Sequence, residues 1–220
     1  MLNTPLKNTW ADLISIPDEE ITMEVLDKVL LSHSSGVNVL AAPRSPEDAE
    51  LLQEEKIVHV LDILQENYHY IVLDLPHNFT PPALAGLDAS HMILLLMAPE
   101  LASVRGTSMA LEVFSTLGYP RDRVRLVLNW IFERRGLAQK DIEKVIKDKI
   151  NLVIPFASET FVSSINLGRP PVIDDPESPI SALLEDLAFF LSKDEHKKKP
   201  PEEPTEAWRR VVRRYKARRK

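Results

Sequence analysis

The chain has 220 residues, a mass of 25.0 kDa and a formal net charge of −6, and 44% of its residues are hydrophobic, which is typical of a globular protein with a substantial core. It has no cysteine, which excludes a disulfide scaffold, a thiolate metal site and a thiol nucleophile. Its six glycines never occur as GxG or GxxxxGK, so the sequence contains no glycine-rich phosphate loop.

Charge is distributed unevenly along the chain. Residues 193–220 contain 12 basic and 5 acidic residues, a balance of +7, whereas residues 1–192 contain 15 basic and 28 acidic residues, a balance of −13. We therefore predict an acidic domain at 1–192, a charged, proline-rich linker at 193–204 and a basic amphipathic tail at 205–220. Such an asymmetry is typical of tails that bind anionic surfaces.

The first predicted elements are helices around a short strand. Residues 17–31 predict a helix, because acids load its first turn at the positive end of the helix dipole. Residues 37–41 form a short apolar run that predicts a strand. Ser45 is a suitable N-cap for a helix that extends to Asn67, with Asp48 placed to complete a capping box.

Mainly apolar runs without strict alternation then follow, separated by segments of helical periodicity. Runs that do not alternate predict strands buried on both faces, as in a parallel sheet covered by helices. The predicted strands are 70–75, 92–97, 124–128 and 152–154. The predicted helices are 80–89, 100–117, 138–148, 158–167 and a last one that Ser178 caps, 179–191. This order predicts the α/β class, with a mostly parallel sheet and helices on both faces.

Asp74 is the polar residue of the first apolar run. A carboxylate at the carboxyl end of a parallel strand lies where open α/β sheets bind ligands. In nucleotide-binding folds such an aspartate holds Mg²⁺, usually through water. The alternative is an aspartate that caps the next turn, and the residue alone does not decide between the two.

Asn129 follows the run at 124–128. Its amide offers both a donor and an acceptor, which suits the edge of an adenine base. The alternative is an asparagine that is tolerated in a turn, and the residue taken alone favours this alternative.

The basic tail has one apolar face. On a helical wheel this face consists of Trp208, Val211, Val212 and Tyr215. The other positions carry the cations Arg209, Arg210, Arg213, Arg214 and Lys216. The pattern predicts a basic amphipathic helix that binds an anionic membrane, nucleic acid or a partner protein. The alternative is a solvated, fraying tail, since so short a helix is marginal alone in water.

Several segments, taken in order, resemble the ParA/MinD family of P-loop ATPases, and most closely its CpaE/TadZ-like branch, which is linked to pilus assembly. They are SHSSGVNVLAAPRSPEDAELL (32–52), YIVLDLPHNFTPPALAGLDAS (70–90), LLLMAPELASVRGT (94–107), LGYPRDRVRLVLNW (117–130), IPFASETFVSSINLGRPPV (154–172) and the final core helix. The resemblance covers residues 15–192. It implies a P-loop NTPase-like fold of the SIMIBI type, with ATP and Mg²⁺ as cofactors.

The resemblance also implies roles for single residues. Asp74 resembles the Walker B aspartate, and Asn129 resembles the asparagine that contacts the base. The residues that resemble the start of the second switch are Leu75, Pro76 and His77. The residues that resemble the start of the loop near the base are Pro155 and Phe156.

The sequence departs from this family at its beginning. The family starts with a strand, a phosphate loop with two lysines, a helix and a strand that bears a further aspartate, and we do not find these here. We therefore expect an N-terminally incomplete fold that neither binds ATP tightly nor hydrolyses it alone, because the backbone cradle and lysine for the triphosphate are missing. Three explanations of this departure are open. The start is misassigned or the gene is broken, the chain is a degenerate, non-catalytic relative, or the sheet has closed around the gap.

By resemblance, the chain is a nucleotide-switch ATPase domain that serves localisation or assembly of a cell-surface pilus or secretion machine. A homodimer and proteins of that machinery are the implied partners. The alternative is a non-enzymatic interaction or scaffold module that binds membrane, nucleic acid or a partner protein through residues 205–220. The sequence has no signal peptide and no apolar run of spanning length. We therefore expect a cytoplasmic protein, either free or bound peripherally at the inner face of the membrane.

Overall fold

The computed structural model describes residues 4–199 and 201–218, with only the backbone of Arg218. These residues form two compact units, 4–93 and 94–218. The division falls inside the range 1–192 that the sequence predicts as one domain, and the helix of the basic tail belongs to the second unit.

The N-terminal unit is mainly helical. Its helices are α1 (Ala11–Ile14), α2 (Met23–Val29), α3 (Pro46–Glu50), α4 (Glu54–Asn67) and α5 (Pro81–Ala89), with a 3₁₀ helix at Asp18–Glu20. Its strands β1 (Leu31–Ser32) and β2 (Asn38–Val39) pair antiparallel, with Leu31 opposite Val39. The helix predicted at 17–31 is therefore a 3₁₀ turn followed by α2, and the strand predicted at 37–41 is shorter than expected.

The apolar stripe of α4 forms the centre of this unit. The residues of the stripe, all at most 7% exposed, are Ile57, Val60, Leu61 and Leu64. Val60 and Leu64 belong to one hydrophobic cluster with Leu13 of α1 and Leu26 of α2. These residues recur at helical spacing in the sequence, so they share one face of the helix, and the structure buries that face.

The predicted N-cap at Ser45 is confirmed. Its Oγ accepts a hydrogen bond from the Asp48 amide at 3.1 Å, and Pro46 occupies the first helical position. The single helix predicted to follow is instead two, because α3 ends at Glu50 and α4 begins at Glu54.

The strand predicted at 70–75 is wrong. The segment forms no regular secondary structure, and no described residue of the N-terminal unit pairs with it as a strand. Ile71 and Leu73 pack against the core, whereas Val72 is 92% exposed. The segment thus buries one face instead of two, because burial on both faces requires neighbouring strands and a layer on either side.

The C-terminal unit contains the main sheet. Its strands are β3 (Ile93–Met97), which starts at the last residue of the N-terminal unit, β4 (Val124–Asn129) and β5 (Leu152–Ile154), in the order β3-β4-β5. Its helices are α6 (Leu101–Thr116), α7 (Gln139–Ile146), α8 (Ser158–Leu167), α9 (Pro171–Asp174), α10 (Pro179–Leu191), α11 (Asp194–Lys198) and α12 (Glu206–Arg218), with a 3₁₀ helix at Arg121–Arg123. Here the predicted strands and helices are confirmed to within two residues, and α11 lies inside the segment predicted as a linker.

The central strand β4 fixes the sheet. Val124, Leu126 and Leu128 are at most 2% exposed. Beside it β5 runs parallel, with Val127 opposite Leu152. The predicted class is confirmed: the chain has an α/β fold with a parallel sheet flanked by helices.

The last core helix begins as the sequence predicts. The Oγ of Ser178 accepts a hydrogen bond from the Ser181 amide at 3.2 Å, with Pro179 as the first helical residue. Within residues 4–199 and 201–218, none of the helices combines the length and apolarity that crossing a bilayer would require.

Candidate functional site

The carboxyl ends of β4 and β5 lie together. Asn129 is opposite Ile154 in the parallel register, and the Trp130 amide donates to the Ile154 carbonyl at 2.9 Å. Pro155 and Phe156 follow directly, and the Phe156 side chain is 42% exposed. The structure thus places three of the predicted base-site residues, Asn129, Pro155 and Phe156, at one edge of the sheet, where α/β folds bind ligands.

A closed loop borders this edge. The Leu137 amide donates to the Pro99 carbonyl at 2.7 Å, which joins the end of the loop to the segment after β3. A Cβ atom on Gly136 would lie 2.6 Å from Cζ3 of Trp130 and 2.9 Å from the Pro99 ring. The preceding residue, Arg135, has a φ of 70°, which lies in the left-handed region that residues other than glycine rarely adopt. A Cβ atom at 136 would therefore displace one of these rings or the backbone of the loop.

Sequence reasoning missed these loop residues. Pro99 and Trp130 lie in segments that resemble the ParA/MinD family, but they were given no role of their own, and Gly136 lies outside those segments. The available signal was an isolated glycine a few residues after a predicted strand, which indicates a turn or a close approach of the backbone.

The predicted magnesium residue lies in the other unit. Asp74 is exposed in segment 70–75, which forms no strand because no described residue of its unit pairs with it, so the prediction of a carboxylate at the end of a buried strand is wrong. Leu75 packs against Gly86 of α5, while Pro76 and His77 are exposed. These four residues belong to the N-terminal unit, whereas Asn129, Pro155 and Phe156 belong to the C-terminal one.

The residues present fit one part of a nucleotide. Asn129 supplies an amide and Phe156 an apolar ring, and side chains of these two types suit an adenine base. The triphosphate requires a cradle of backbone N–H groups and a lysine, and the sequence contains no glycine-rich loop to supply them. The described parts of the chain also hold no group of three or more His, Asp or Glu side chains arranged to bind a metal ion.

The basic tail forms α12, which packs on α10. Glu185 of α10 is 5% exposed and accepts hydrogen bonds on both carboxylate oxygens. Its Oε1 lies 3.0 Å from Nε and 2.5 Å from Nη2 of Arg210, and its Oε2 lies 2.9 Å from Nη2 of Arg214. Arg214 also donates to Asp186 at 2.8 Å. The carboxylates of α10 therefore bind two of the predicted surface-binding arginines.

These contacts further stabilise the charged form of both arginines. Hydrogen bonding to Glu185 raises the pKa of Arg210 above its ordinary value. Burial acts to lower the pKa of Arg214, but its hydrogen bonds to Glu185 and Asp186 outweigh this effect, so the pKa is raised on balance.

The apolar face of α12 is turned inward as well. Val211 is 3% exposed, and the Tyr215 ring lies 5.0 Å from the Phe189 ring of α10. Trp208 and Val212 are half-buried. The cations that remain outside are Arg209, which pairs with Glu206, and the exposed Arg213 and Lys216. The prediction of a basic amphipathic helix is thus correct in form, but its apolar face contacts the chain itself.

Solved ParA and MinD proteins share the fold. The ParA family ATPase of Chlorobium tepidum matches with a TM-score of 0.78 at 20% identity, over 86% of this chain and 77% of that one. MinD of Pyrococcus horikoshii, solved with Mg-ADP, gives 0.72 at 18% identity, over 90% and 79%. A chain of the MinC:MinD complex of Aquifex aeolicus gives 0.67 at 20% identity, over 93% and 79%. The chain therefore has the fold of the ParA/MinD P-loop NTPases.

Curated sequences give a weaker likeness to the same proteins. A putative septum site-determining protein MinD of Emiliania huxleyi is 22% identical over 159 residues, 70% of this chain and 57% of the relative. An uncharacterised ATP-binding protein of Methanocaldococcus jannaschii is 24% identical over 165 residues, 74% and 61% of the two chains. The chain thus spans about three fifths of the length of the curated relatives that it matches. No protein-family sequence model matches it.

Proposed function

We propose that the chain is a ParA/MinD-like domain of the CpaE/TadZ-like branch, with little or no ATP hydrolysis of its own. The observation that supports this best is the TM-score of 0.78 to a ParA family ATPase, combined with a sequence that has no phosphate loop. In this proposal Asn129, Pro155 and Phe156 form the base-binding edge. Asp74 and the second switch at 75–77 act only where a phosphate cradle is supplied.

The expected result is no ATP turnover above background by the chain alone. The triphosphate has no cradle here, so addition of Mg-ATP should leave the melting temperature unchanged. Phosphate release and a thermal melt with and without Mg-ATP measure the two quantities. Turnover that Asp74→Ala abolishes would contradict the proposal, provided that the control Asp62→Ala, an exposed carboxylate on α4, retains it.

We further propose that the domain serves localisation or assembly of a cell-surface pilus or secretion machine. It would act in the cytoplasm, at or near the inner face of the membrane, as a homodimer or in contact with proteins of that machine. The solved MinC:MinD complex supports a role of this kind, because a protein with this fold there assembles with a partner.

A second candidate function is a non-enzymatic module that binds an anionic bilayer through α12. The helix combines apolar and aromatic side chains on one face with the cations Arg209, Arg210, Arg213, Arg214 and Lys216. This is the composition of a helix that lies in a lipid interface, and interfacial tryptophan and tyrosine favour lipid over nucleic acid.

Co-sedimentation with vesicles tests this second function. The chain is expected to sediment with phosphatidylglycerol vesicles and to remain in solution with phosphatidylcholine alone, because its cations require anionic headgroups. Replacing the two outer cations, as Arg213→Gln/Lys216→Gln, should weaken the binding. Salt-sensitive binding to duplex DNA, without binding to vesicles, would instead indicate a nucleic-acid module.

A further inference from the structure

The face of α12 that suits a bilayer is covered in this structure. Val211 is almost fully buried, and Tyr215 packs on Phe189 of α10. The indole nitrogen of Trp208 is buried without a hydrogen-bond partner. A helix whose apolar side chains point toward its own domain cannot insert them between lipid headgroups.

Ionic contacts hold the helix in this position. Glu185 is the central acceptor, because its two oxygens bind Arg210 and Arg214 and its side chain is 3% exposed. Carboxylate–guanidinium pairs of this kind are charge-assisted and strong. Removing the carboxylate would leave the largely covered guanidinium group of Arg210 without its hydrogen-bonded partner, and Arg214 with Asp186 alone of its two carboxylates.

The connector adds little to this docking. None of the described residues between Ser192 and Thr205 is buried. The segment contains Pro201 and Pro204, and its Lys197 ammonium lies 5.9 Å from the centre of the Phe190 ring of α10 rather than on α12. The position of α12 is therefore set by its own contacts with α10, and the helix is free to leave when those contacts are replaced.

We propose that α10 masks the bilayer-binding face of α12, and that Glu185 sets the balance between a docked and a released helix. The proposal rests on the second function above, in which the tail binds an anionic bilayer. Lipid phosphates are acceptors of the same kind as the Glu185 carboxylate, so an anionic surface competes for Arg210 and Arg214. Release then frees Trp208 and Tyr215 for the interface.

Two variants of α10 open the mask without changing a side chain of α12. Glu185→Gln removes the carboxylate, and Phe189→Ala removes the ring that packs on Tyr215. The matched control is Glu112→Gln on the exposed face of α6, which changes the net charge by the same amount as Glu185→Gln. It separates loss of docking from the general attraction of a less acidic chain to anionic lipid.

Two measurements on the full chain test the mask. Without lipid, hydrogen exchange of the α12 amides is expected to be faster in both α10 variants and unchanged in the control. With phosphatidylglycerol vesicles, both variants are expected to bind on the order of tenfold more tightly than the unmodified chain and the control. In the variants, the free energy needed to separate α12 from α10 no longer opposes binding.

The other outcomes overturn the proposal in distinguishable ways. Equal vesicle binding by all four proteins would overturn the mask and leave the membrane function intact. Absence of vesicle binding by any of them would overturn both. Faster exchange in the α10 variants together with tighter binding to duplex DNA, but not to vesicles, would overturn the lipid partner. Unchanged exchange in both variants would overturn the role of α10.

Discussion

Glu185→Ala is expected to lower the free energy of unfolding by about 3 kcal/mol, because it removes one partner of a covered ion pair and leaves two guanidinium groups behind. Glu185 contacts both Arg210 and Arg214, and its own side chain is 3% exposed. The loss of unfolding free energy cannot exceed the free energy with which α12 docks on α10, because a helix that no longer gains stability from docking separates from α10. Urea unfolding monitored by circular dichroism measures the change.

Two further variants calibrate this prediction. Glu112→Ala, on the exposed face of α6, is expected to change the unfolding free energy by less than about 0.5 kcal/mol. Adding Arg214→Ala to Glu185→Ala should cost less than the sum of the single changes, since the two residues share one contact. A loss within about 0.5 kcal/mol for Glu185→Ala would contradict the prediction.

The size of this loss bears on the proposed mask. Each cation near an anionic bilayer contributes about 1 kcal/mol, and the described side chains of α12 include five cations. An anionic surface therefore offers a stabilisation comparable with the docking contacts. A helix held by contacts of this strength responds to lipid composition, whereas one held much more firmly would stay docked on any membrane.

Gly136→Ala is expected to lower the unfolding free energy by about 1–3 kcal/mol, the usual range for overpacking. The new Cβ atom would lie 2.6 Å from the Trp130 ring and 2.9 Å from two atoms of the Pro99 ring. Neither neighbour is the end of a flexible chain, so the backbone of the loop has to shift. The same shift should move the Trp130 fluorescence spectrum.

The matched control is the same substitution at another glycine of the C-terminal unit. Gly106 lies inside α6 and a Cβ atom there has no neighbour within 4 Å. Gly106→Ala is therefore expected to stabilise the chain by about 0.5–1 kcal/mol, because alanine favours the helix. Equal effects of the two substitutions would show that the close approach at Gly136 does not exist.

The elements of the C-terminal unit were predictable because local signals and tertiary structure agree. Residues 124–128 predicted a buried strand, since four of the five are apolar and do not alternate strictly, and the structure buries those four in the centre of the sheet. At 179–191, the cap Ser178, the first-turn proline and an apolar stripe all indicated one helix. The family resemblance assigned Asn129 and Pro155 to one base site, and the structure has them at the carboxyl ends of neighbouring parallel strands.

The remaining features depend on partners that a local pattern does not specify. Residues 70–75 carry the composition of a buried strand, but a strand needs a ladder partner, and Val72 is exposed without one. The docking of α12 depends on pairs such as Glu185–Arg210, which are separated by 25 residues. An amphipathic helix indicates that an apolar face is covered and does not indicate by what.

The three tryptophans lie in three different parts of the structure, so each can serve as an intrinsic fluorescence probe of its own surroundings. Trp10 packs against the core of the N-terminal unit, Trp130 lies beside the loop at the sheet edge, and Trp208 is covered within α12. With two of them replaced by phenylalanine, the emission of the third reports one event. Core unfolding, movement of the loop and release of the tail helix would then be followed separately in a chain that carries no added label.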